Sequence, residues 1–243
     1  MRIVILSDIH ANVTAFKAVL NDISSIGIVD AYAIIGDLIN YGPRPNEIIG
    51  LVKGLEKPLL VNLWGNHEYS IFGGSLERFT TDRGRAVLRY TKSILTPESH
   101  DYLDKEMEHN GFLKCKIEGK SFLFMHGSIN DPYWGKFWID KMSEEHYAKY
   151  DYVISGHSHV PHYVEYFYPS ANAEYRNKKR TIFINPGSVG QPRNHNPYAQ
   201  YGILDLRIGN YEHRSVWYDV EEEQKLFSDS VDKFYKDRLT LGI

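Results

Sequence analysis

Five short segments of the sequence carry side chains that can bind metal ions and transfer protons. Each places a carboxylate, an imidazole or a carboxamide beside a glycine or after an apolar run. Nitrogen and oxygen ligands without thiolate suit Mn, Fe, Zn, Co or Ni better than a soft metal. In chain order the segments are Asp8-Ile9-His10, Gly36-Asp37, Gly65-Asn66-His67-Glu68, His126-Gly127 and Gly156-His157-Ser158-His159.

Each segment follows a stretch that is predicted to be a β-strand. In α/β sheets, ligands bind outside the carboxyl ends of the strands, so we expect the five segments to converge on one site. Residues two apart at a strand end point the same way, which predicts Asp8 beside His10 and His157 beside His159, with Ser158 facing away. A single Asp-x-His or Gly-Asp is common, whereas all five motifs in this order indicate a binding site.

The composition of this site predicts hydrolysis of a phosphate ester. Asp37 follows Gly36, which permits a close backbone approach, and its carboxylate can bridge two cations. Two ions about 3.5–4 Å apart can activate a water and clamp the attacking and leaving oxygens of an in-line displacement. Because only Asp8 and Asp37 are anionic, two divalent cations and a bound hydroxide would leave the site positive and attract phosphate. The neutral proposed ligands are His10, Asn66, His126, His157 and His159.

The first third of the sequence alternates strands and helices, which favours parallel strands joined by crossover helices. The apolar run 3–7 is typical of a strand that is buried on both faces. Asn12 can cap the helix that follows. The predicted elements here are strands at 3–7, 31–35 and 59–63, and helices after Asn12 and at 45–55.

Helical patterning over 75–108 precedes a strand-rich second half. Thr96-Pro97-Glu98 is a helix start signal within that helical region. The sequence has 18 Tyr, 11 Phe and 4 Trp, concentrated late in the chain, and aromatic residues favour β-structure. We expect one domain over 1–243, with two sheets packed face to face and helices outside. The later strands are predicted at 112–118, 121–125, 151–155, 162–168, 181–185, 200–207 and 211–219, with helices near 143–149 and 221–239.

Charge and composition argue against several other classes of protein. The net charge of −3 offers no bulk attraction to nucleic acid or acidic membranes, and the one basic run, 176–180, is interpreted as a solvated loop tip. Cys115 is the single cysteine, which excludes an internal disulfide and a multi-cysteine metal site. No apolar stretch reaches membrane-spanning length and the start of the chain lacks a signal pattern, so we expect a soluble, cytoplasmic protein.

The series Asp-x-His, Gly-Asp, Gly-Asn-His-Glu, His-Gly and Gly-His-x-His over 8–159 resembles the signature of the calcineurin-like metallophosphoesterase superfamily. The segments 8–12, 36–43 and 185–193 resemble the bacterial branch described as predicted phosphodiesterases. The resemblance therefore covers nearly the whole chain. It implies an α/β fold, a four-layer α/β/β/α sandwich of two mixed sheets flanked by helices.

Carried over by motif, the resemblance also implies a role for each site residue. Asp37 would bridge two divalent metal ions, of which Mn is the most favoured. His67 would not bind metal but would face the leaving group and protonate it, and an imidazole titrates in the range useful for that role. One ion would be held by Asp8, His10 and His159, and the other by Asn66, His126 and His157.

The sequence departs from the phosphoprotein phosphatases of this superfamily at Tyr41. In those enzymes an Arg at this position, before the glycine that follows the Gly-Asp motif, binds the phosphate. Its replacement by Tyr41 argues against a phosphoprotein monoesterase. Asn12, Tyr41 and Arg193 are candidate substrate contacts. The alternatives are that Asn12 only caps a helix, that Tyr41 only packs and that Arg193 is solvated.

Three hypotheses about function follow. The leading one is a phosphodiesterase that acts on a small phosphodiester or a nucleotide. The second is a phosphomonoesterase that acts on a protein or a nucleotide, and the third is a non-catalytic scaffold on the same fold. A scaffold would be expected to have lost several ligands, whereas all seven, together with His67, are present. The aromatic late strands are also a candidate interface for a homo-oligomer.

Overall fold

The computed structural model describes residues 1–169 and 179–243. Residues 176–178 of the basic run therefore lie outside the described residues, and the interpretation of that run as a solvated loop tip stays a prediction. None of the helices in the described parts of the chain is long and apolar enough to cross a bilayer. The cytoplasmic location and the homo-oligomer also stay predictions.

Two mixed five-stranded sheets form the centre of the fold. The first sheet has the order β10-β9-β1-β2-β3, with β1, β2 and β3 parallel and β9 antiparallel to β1, and the second has the order β4-β5-β6-β8-β7, with β5, β6 and β8 parallel. The parallel strands predicted from the alternating start of the sequence are confirmed. The strands are β1 (Arg2–Leu6), β2 (Ala31–Ile34), β3 (Leu59–Asn62), β4 (Phe112–Ile117), β5 (Lys120–Met125), β6 (Tyr152–Ser155), β7 (His162–Phe167), β8 (Arg180–Asn185), β9 (Ala199–Asp205) and β10 (Asn210–Val216).

The two sheets pack face to face through alternate residues of their strands. Ile3 and Ile5 of β1 belong to the core cluster that also contains Phe122 of the second sheet. Val4 and Leu6 belong to the cluster on the opposite face, together with residues of the helices. Both faces of β1 are therefore buried, as its continuous apolar run predicts.

Helices cover the outer face of the first sheet, and a segment with short 3₁₀ turns covers the second. That segment, 126–150, packs Phe137, Met142 and Tyr147 onto the outer face of the second sheet. The predicted layers of two mixed sheets flanked by helical structure are confirmed. The helices are α1 (Val13–Ser25), α2 (Pro45–Lys53), α3 (Asn66–Ile71), α4 (Asp82–Ile94), α5 (Pro97–Lys105), α6 (Val220–Lys225) and α7 (Lys233–Leu241).

Two of three later helical predictions need correction. The helix expected near 143–149 is a single 3₁₀ turn, Glu145–Tyr147, whose tighter winding places Tyr147 and Tyr150 together against the second sheet. The helical prediction over 75–108 is confirmed, because the region contains a 3₁₀ turn, α4 and α5, and Thr81 and Thr96 cap the two helices. The helix expected over 221–239 is divided into α6 and α7, because Asp232 starts a second helix by accepting the backbone N–H of Phe234.

Candidate metal centre

The loops that carry the site residues leave their strands in left-handed backbone conformations. Strands β1 and β6 end before the Asp-x-His and His-x-His pairs begin. Asp8, His10, His157 and His159 have φ angles of 54°, 48°, 60° and 57°, and such conformations cost about 1–3 kcal/mol for each non-glycine residue. The expectation that strand alternation orients these pairs is therefore wrong. Strained turns orient them instead.

Two glycines let these loops approach one another closely. Gly36 has a φ of 93°, and a Cβ there would lie 2.6 Å from His126 Nδ1 and 2.7 Å from the backbone nitrogen of Gly65. A Cβ on Gly65 would overlap the carboxylate of Asp37. The Gly-Asp loop thus touches both the start of α3 and the second sheet, in the close approach expected of Gly36.

Asp8, His10, Asp37 and His159 form a first group of side chains of metal-ligand type. All four are buried, and one ligand atom from each lies within 4.8 Å of the others. His159 Nε2 lies 3.1 Å from Asp8 Oδ1 and 3.2 Å from His10 Nε2. His10 Nε2 lies 3.7 Å from Asp37 Oδ2. The structure therefore brings together the three residues predicted to hold one ion, with Asp37 beside them.

Asp37, His126 and His157 form a second group, again with ligand atoms within 4.8 Å of one another. His126 Nε2 lies 3.3 Å from Asp37 Oδ2 and 3.2 Å from Asn66 Oδ1. The three residues predicted to hold the other ion thus also lie at Asp37. Since Asp37 belongs to both groups, it has the position that a bridging carboxylate requires.

Three of the site histidines are fixed through Nδ1, which leaves Nε2 facing the centre. A ring that donates its Nδ1–H to a carbonyl carries its lone pair on Nε2, the state required of a ligand, and the carbonyl also fixes the plane of the ring. The pairs are His10 Nδ1 with Ile39 O at 3.2 Å, His126 Nδ1 with Ile35 O at 2.7 Å and His159 Nδ1 with Gln191 O at 2.5 Å.

The two carboxylate oxygens of Asp8 have different surroundings. Its Oδ2 accepts from the Ser7 hydroxyl at 2.5 Å and from the backbone N–H of His157 at 3.1 Å. Its Oδ1 is buried, receives no hydrogen bond from the described residues and faces the rings of His10 and His159. A buried carboxylate oxygen without a partner is costly, and a divalent cation between these groups would satisfy it. The residues present therefore fit a metal ion.

Burial keeps most of these imidazoles neutral, which is the form that binds metal. It lowers the pKa of His10 and His159 well below the usual value and lowers the pKa of His157 to about 3. At His126 burial also favours the neutral ring, but the Asp37 carboxylate outweighs it and raises the pKa of His126 to about 9. Asp37 thus attracts positive charge to the middle of the site, and cations would supply it.

Glu68 has a structural role that the sequence did not reveal. Its buried carboxylate accepts the backbone N–H groups of Asp37 at 3.0 Å, Ile39 at 3.2 Å and Gly65 at 2.8 Å. Burial and the nearby charge of Asp37 raise the pKa of Glu68 to about 7. Glu68 therefore fastens the Gly-Asp loop to the start of α3. The available signal was its place three residues after Gly65, where a capping-box glutamate lies.

His67 lies beside the two groups and belongs to neither. Its Nε2 is 3.8 Å from Asp37 Oδ2, and its Nδ1 is 2.5 Å from Asn40 Nδ2. Asn40 Oδ1 accepts from the Thr91 hydroxyl at 2.9 Å, which turns the Asn40 amide nitrogen toward His67. His67 Nδ1 is then an acceptor, and the proton of the neutral ring is on Nε2, facing the centre. Burial lowers the pKa of His67 to about 4. Nothing in the sequence indicated that Asn40 and Thr91 form a series of hydrogen bonds with His67.

Of the candidate substrate contacts, Asn12 is occupied inside the protein. Its side-chain oxygen caps α1 by accepting the backbone N–H of Ala15 at 3.0 Å. Its amide nitrogen donates to the carbonyl of Gly190 at 2.9 Å and to the Tyr218 hydroxyl at 3.1 Å. The structure thus favours the alternative in which Asn12 caps a helix and joins two loops.

Tyr41 and Arg193 lie at the edge of the centre. The Tyr41 ring lies 4.7 Å from the ring of His10 and 4.5 Å from that of His67. Arg193 donates its backbone N–H to the carbonyl of His159 at 3.3 Å. After burial, the charge of Arg193 is the next cause that lowers the pKa of His159. Both residues therefore have positions from which they can contact a substrate.

Two mixed sheets with paired ligand groups at their loop ends define a class, the metallophosphoesterases, and comparison with known proteins agrees. The calcineurin-like phosphoesterase superfamily domain matches residues 1–209, so the chain belongs to that superfamily. The uncharacterized protein MJ0912 of Methanocaldococcus jannaschii is 30% identical over 252 residues, which cover 99% of this chain and 98% of that protein.

Two solved structures share the whole fold. A metallophosphoesterase from Sphaerobacter thermophilus is 26% identical with a TM-score of 0.76, over 100% of both chains. The hypothetical protein PH1004 from Pyrococcus horikoshii is 22% identical with a TM-score of 0.79, over 100% of this chain and 98% of that one. With the family match, these likenesses identify the chain as a metal-dependent phosphoric ester hydrolase.

Proposed function

We propose that this protein hydrolyses phosphodiesters at a two-metal centre and acts on a small phosphodiester or a nucleotide. The observation that carries the proposal is the position of Asp37, whose Oδ2 faces His126 Nε2 at 3.3 Å in one group and His10 Nε2 at 3.7 Å in the other. Mn is the metal that the family resemblance favours, and this set of nitrogen and oxygen ligands also suits Fe, Zn, Co or Ni. Asp8, His10 and His159 would hold one ion with Asp37, and Asn66, His126 and His157 the other.

When bound, the two cations would supply Lewis acidity and an activated water. The side chains around the ions would attract the phosphate and supply a proton to the leaving group. Only Asp8 and Asp37 are anionic among the proposed ligands, so the loaded site is positive and draws in the phosphate. His67 holds a proton on Nε2, on the side of the centre, because Asn40 occupies its Nδ1. A phosphate anion at the centre would favour the imidazolium form of His67, which can then donate the Nε2 proton to the leaving oxygen and return to the neutral ring, as general acid catalysis requires.

The preference for diesters rests on Tyr41. Its ring packs on His10 and His67 at the position where the phosphoprotein phosphatases have a phosphate-binding Arg. A phenol cannot give the bidentate, charge-assisted hydrogen bonds with which a guanidinium grips a dianionic monoester. A diester carries one negative charge and needs less compensation.

Arg193 is the observation that favours a second function, phosphomonoester hydrolysis. Its charge acts on His159 and His67 and helps to lower the pKa of both rings, which burial lowers most. Arg193 could therefore take the part of the missing guanidinium.

The deciding experiment compares kcat/KM for bis(p-nitrophenyl) phosphate and p-nitrophenyl phosphate, with Mn added and with metal removed by chelation. We expect metal-dependent hydrolysis with the diester preferred. The Arg193→Gln variant is the control, because a monoesterase that relies on Arg193 would lose its monoester rate selectively. A tenfold or larger preference for the monoester would replace the proposal by the monoesterase, and no hydrolysis of either ester by metal-loaded protein would support the scaffold.

A further inference from the structure

Three arginines from separate elements lie together on the Tyr41 side of the centre. Arg83 is on α4, Arg193 follows β8 and Arg238 is on α7. The guanidinium carbons of Arg83 and Arg238 lie 4.1 Å and 4.9 Å from the centroid of the Phe234 ring. Within residues 1–169 and 179–243, the arginines that form ion pairs with Asp or Glu are others, namely Arg2, Arg44, Arg78, Arg85, Arg180, Arg207 and Arg214.

Stacked aromatic rings connect this cluster to the metal centre. The ring of Tyr41, which contacts His10 and His67, stacks on Tyr235 of α7 at 4.7 Å. Tyr235 in turn meets the edge of Phe234 at 5.5 Å. Helix α7 is therefore docked at the rim of the site, and its arginine lies on the same side of the centre as Arg193.

The hydrogen-bonding capacity of Arg193 and Arg238 is largely unused by the described residues. Arg193 donates from Nη2 to Gln191 Oε1 at 3.2 Å, while its Nε is buried and has no partner. Arg238 donates from Nε to the carbonyl oxygen of Ile243. A buried guanidinium nitrogen without an acceptor is costly, and a phosphate oxygen would satisfy it.

The guanidinium groups of Arg193 and Arg238 are also close enough for their charges to interact. Burial, followed by the charge of Arg193, lowers the pKa of Arg238 to about 10. The two guanidinium groups are therefore close enough to repel one another beside the stacked rings of Tyr41 and Tyr235, and an anion bound between them would offset that repulsion.

We propose that Arg193, Arg238 and the Tyr41 hydroxyl bind a second, non-reacting phosphate, so that the substrate is a phosphodiester that carries an additional phosphate group. This inference rests on the proposed function, because the reacting phosphate must lie at the metal centre. Arg83 adds charge from the outer side. The subsite lies partly outside the superfamily domain, since α7 follows the matched residues 1–209.

Calorimetry on the Mn-loaded protein tests the subsite with thymidine 5′-phosphate and thymidine 3′,5′-bisphosphate as probes. We expect the bisphosphate to bind about tenfold more tightly or better, as charge-assisted hydrogen bonds to two guanidinium groups allow. In Arg238→Gln the ratio of the two Kd values, monophosphate to bisphosphate, should fall to about threefold or less. Arg238→Lys should keep part of the preference for the bisphosphate because the charge remains. Arg207→Gln, an exposed arginine on another loop, is the matched control and should leave the ratio unchanged. Equal affinities for the two probes, or equal weakening of both by Arg238→Gln, would overturn the subsite.

Hydrolysis separates this inference from the proposed function. The two substrates are the p-nitrophenyl ester of thymidine 5′-phosphate and the same ester with a 3′-phosphate, which have identical reacting and leaving groups. A higher kcat/KM for the 3′-phosphorylated ester that disappears in Arg238→Gln supports the subsite. Equal rates on both esters overturn the subsite and leave the phosphodiesterase standing. No hydrolysis of either ester overturns the phosphodiesterase, and the binding ratio then still decides whether the subsite exists.

Discussion

Asp37 and Glu68 are both buried carboxylates, but at the scale of single residues they do different things. Asp37 Oδ2 faces ligand atoms of both groups, whereas Glu68 accepts the backbone N–H groups of three residues. Asp37→Asn should therefore lower kcat/KM more than Glu68→Gln, for which we expect a loss of about 10–100-fold, typical of residues that support ligands. Steady-state kinetics with metal analysis on both variants checks this, and equal losses would count against a bridging Asp37.

A second prediction at the residue scale separates proton transfer from metal binding. His67 is outside both ligand groups, so His67→Asn should keep its metal but lower kcat by about 10²–10⁴-fold where the leaving group needs a proton. An alkoxide needs that proton and p-nitrophenolate hardly does, so the mutant should retain far more activity on a nitrophenyl ester than on an alkyl diester. Kinetics on the two esters, with metal content measured on the same preparation, gives the answer.

His157→Asn is the control for that experiment. His157 belongs to the second ligand group, so this variant should lose metal and affect both esters alike. If His67→Asn lowers both rates by the same factor, or loses metal with activity, His67 only steadies the loop of Asn66. If His67 is the general acid and Asn40 holds its ring for proton transfer, Asn40→Ala should show the same dependence on the leaving group as His67→Asn.

The types of the proposed ligands were predictable from the sequence, but the residues that hold those ligands and His67 in place were not. Asp8, His10 and Asp37 could be identified because ligand chemistry restricts the side chains that can serve. Asn40 could not be assigned a role, because a carboxamide that holds another group acts through tertiary contacts and leaves no local pattern. The capping-box position of Glu68 was a local signal, but it did not reveal that the carboxylate also holds the Gly-Asp loop. The bridging role of Asp37 and the general-acid role of His67 stay predictions until the variants are measured.

At the scale of elements, the turns after the strands determine the geometry of the centre. Gly36→Ala would place a methyl group 2.6 Å from His126 Nδ1 in a residue with a φ of 93°. We expect it to lower the free energy of unfolding by more than about 1–3 kcal/mol, because steric overlap adds to the backbone strain. Urea titration and metal analysis measure both consequences.

Gly50→Ala provides the matched control for this substitution. Gly50 lies inside α2, and a Cβ there would meet nothing within 4 Å. Alanine in a helix interior is favoured over glycine by about 0.5–1 kcal/mol, so this variant should be more stable and keep its metal. If Gly36→Ala behaved like Gly50→Ala, the close approach of the loops would not matter for the site.

Elements with a strong local signal were predicted well, and those set by packing were not. Thr96 and Pro97 mark the start of α5 in both the sequence and the structure. The division between α6 and α7 was missed because it depends on packing as well as on the Asp232 cap: Gln224 donates to the carbonyl of Lys236 at 2.8 Å and holds the two short helices together. The left-handed turns after β1 and β6 were also missed, because only the folded sheets impose that geometry.

At the scale of the whole molecule, the proposed ligands come from both sheets. One set follows strands of the first sheet and the other follows strands of the second, and Asp37 lies between them. Metal ions bound there would join the two sheets at the same edge where their loops are strained. The first set is Asp8, His10, Asp37 and Asn66, and the second is His126, His157 and His159.

Metal binding should therefore appear in stability as well as in activity. We expect purified protein to bind roughly two transition-metal ions per chain, the number that a two-metal clamp requires. Ions that bind the folded state alone stabilise it by mass action, by about 2.7 kcal/mol at a free concentration of 100 times Kd.

Tm should fall when the ions are chelated and rise again as Mn is added, and His157→Asn should lose part of that dependence. Gly50→Ala should keep the full dependence, since α2 contributes no proposed ligand. Elemental analysis and thermal unfolding on the same samples measure both quantities. Less than half an ion per chain after Mn reconstitution, or a Tm that does not respond to chelation, would contradict a centre that joins the two sheets.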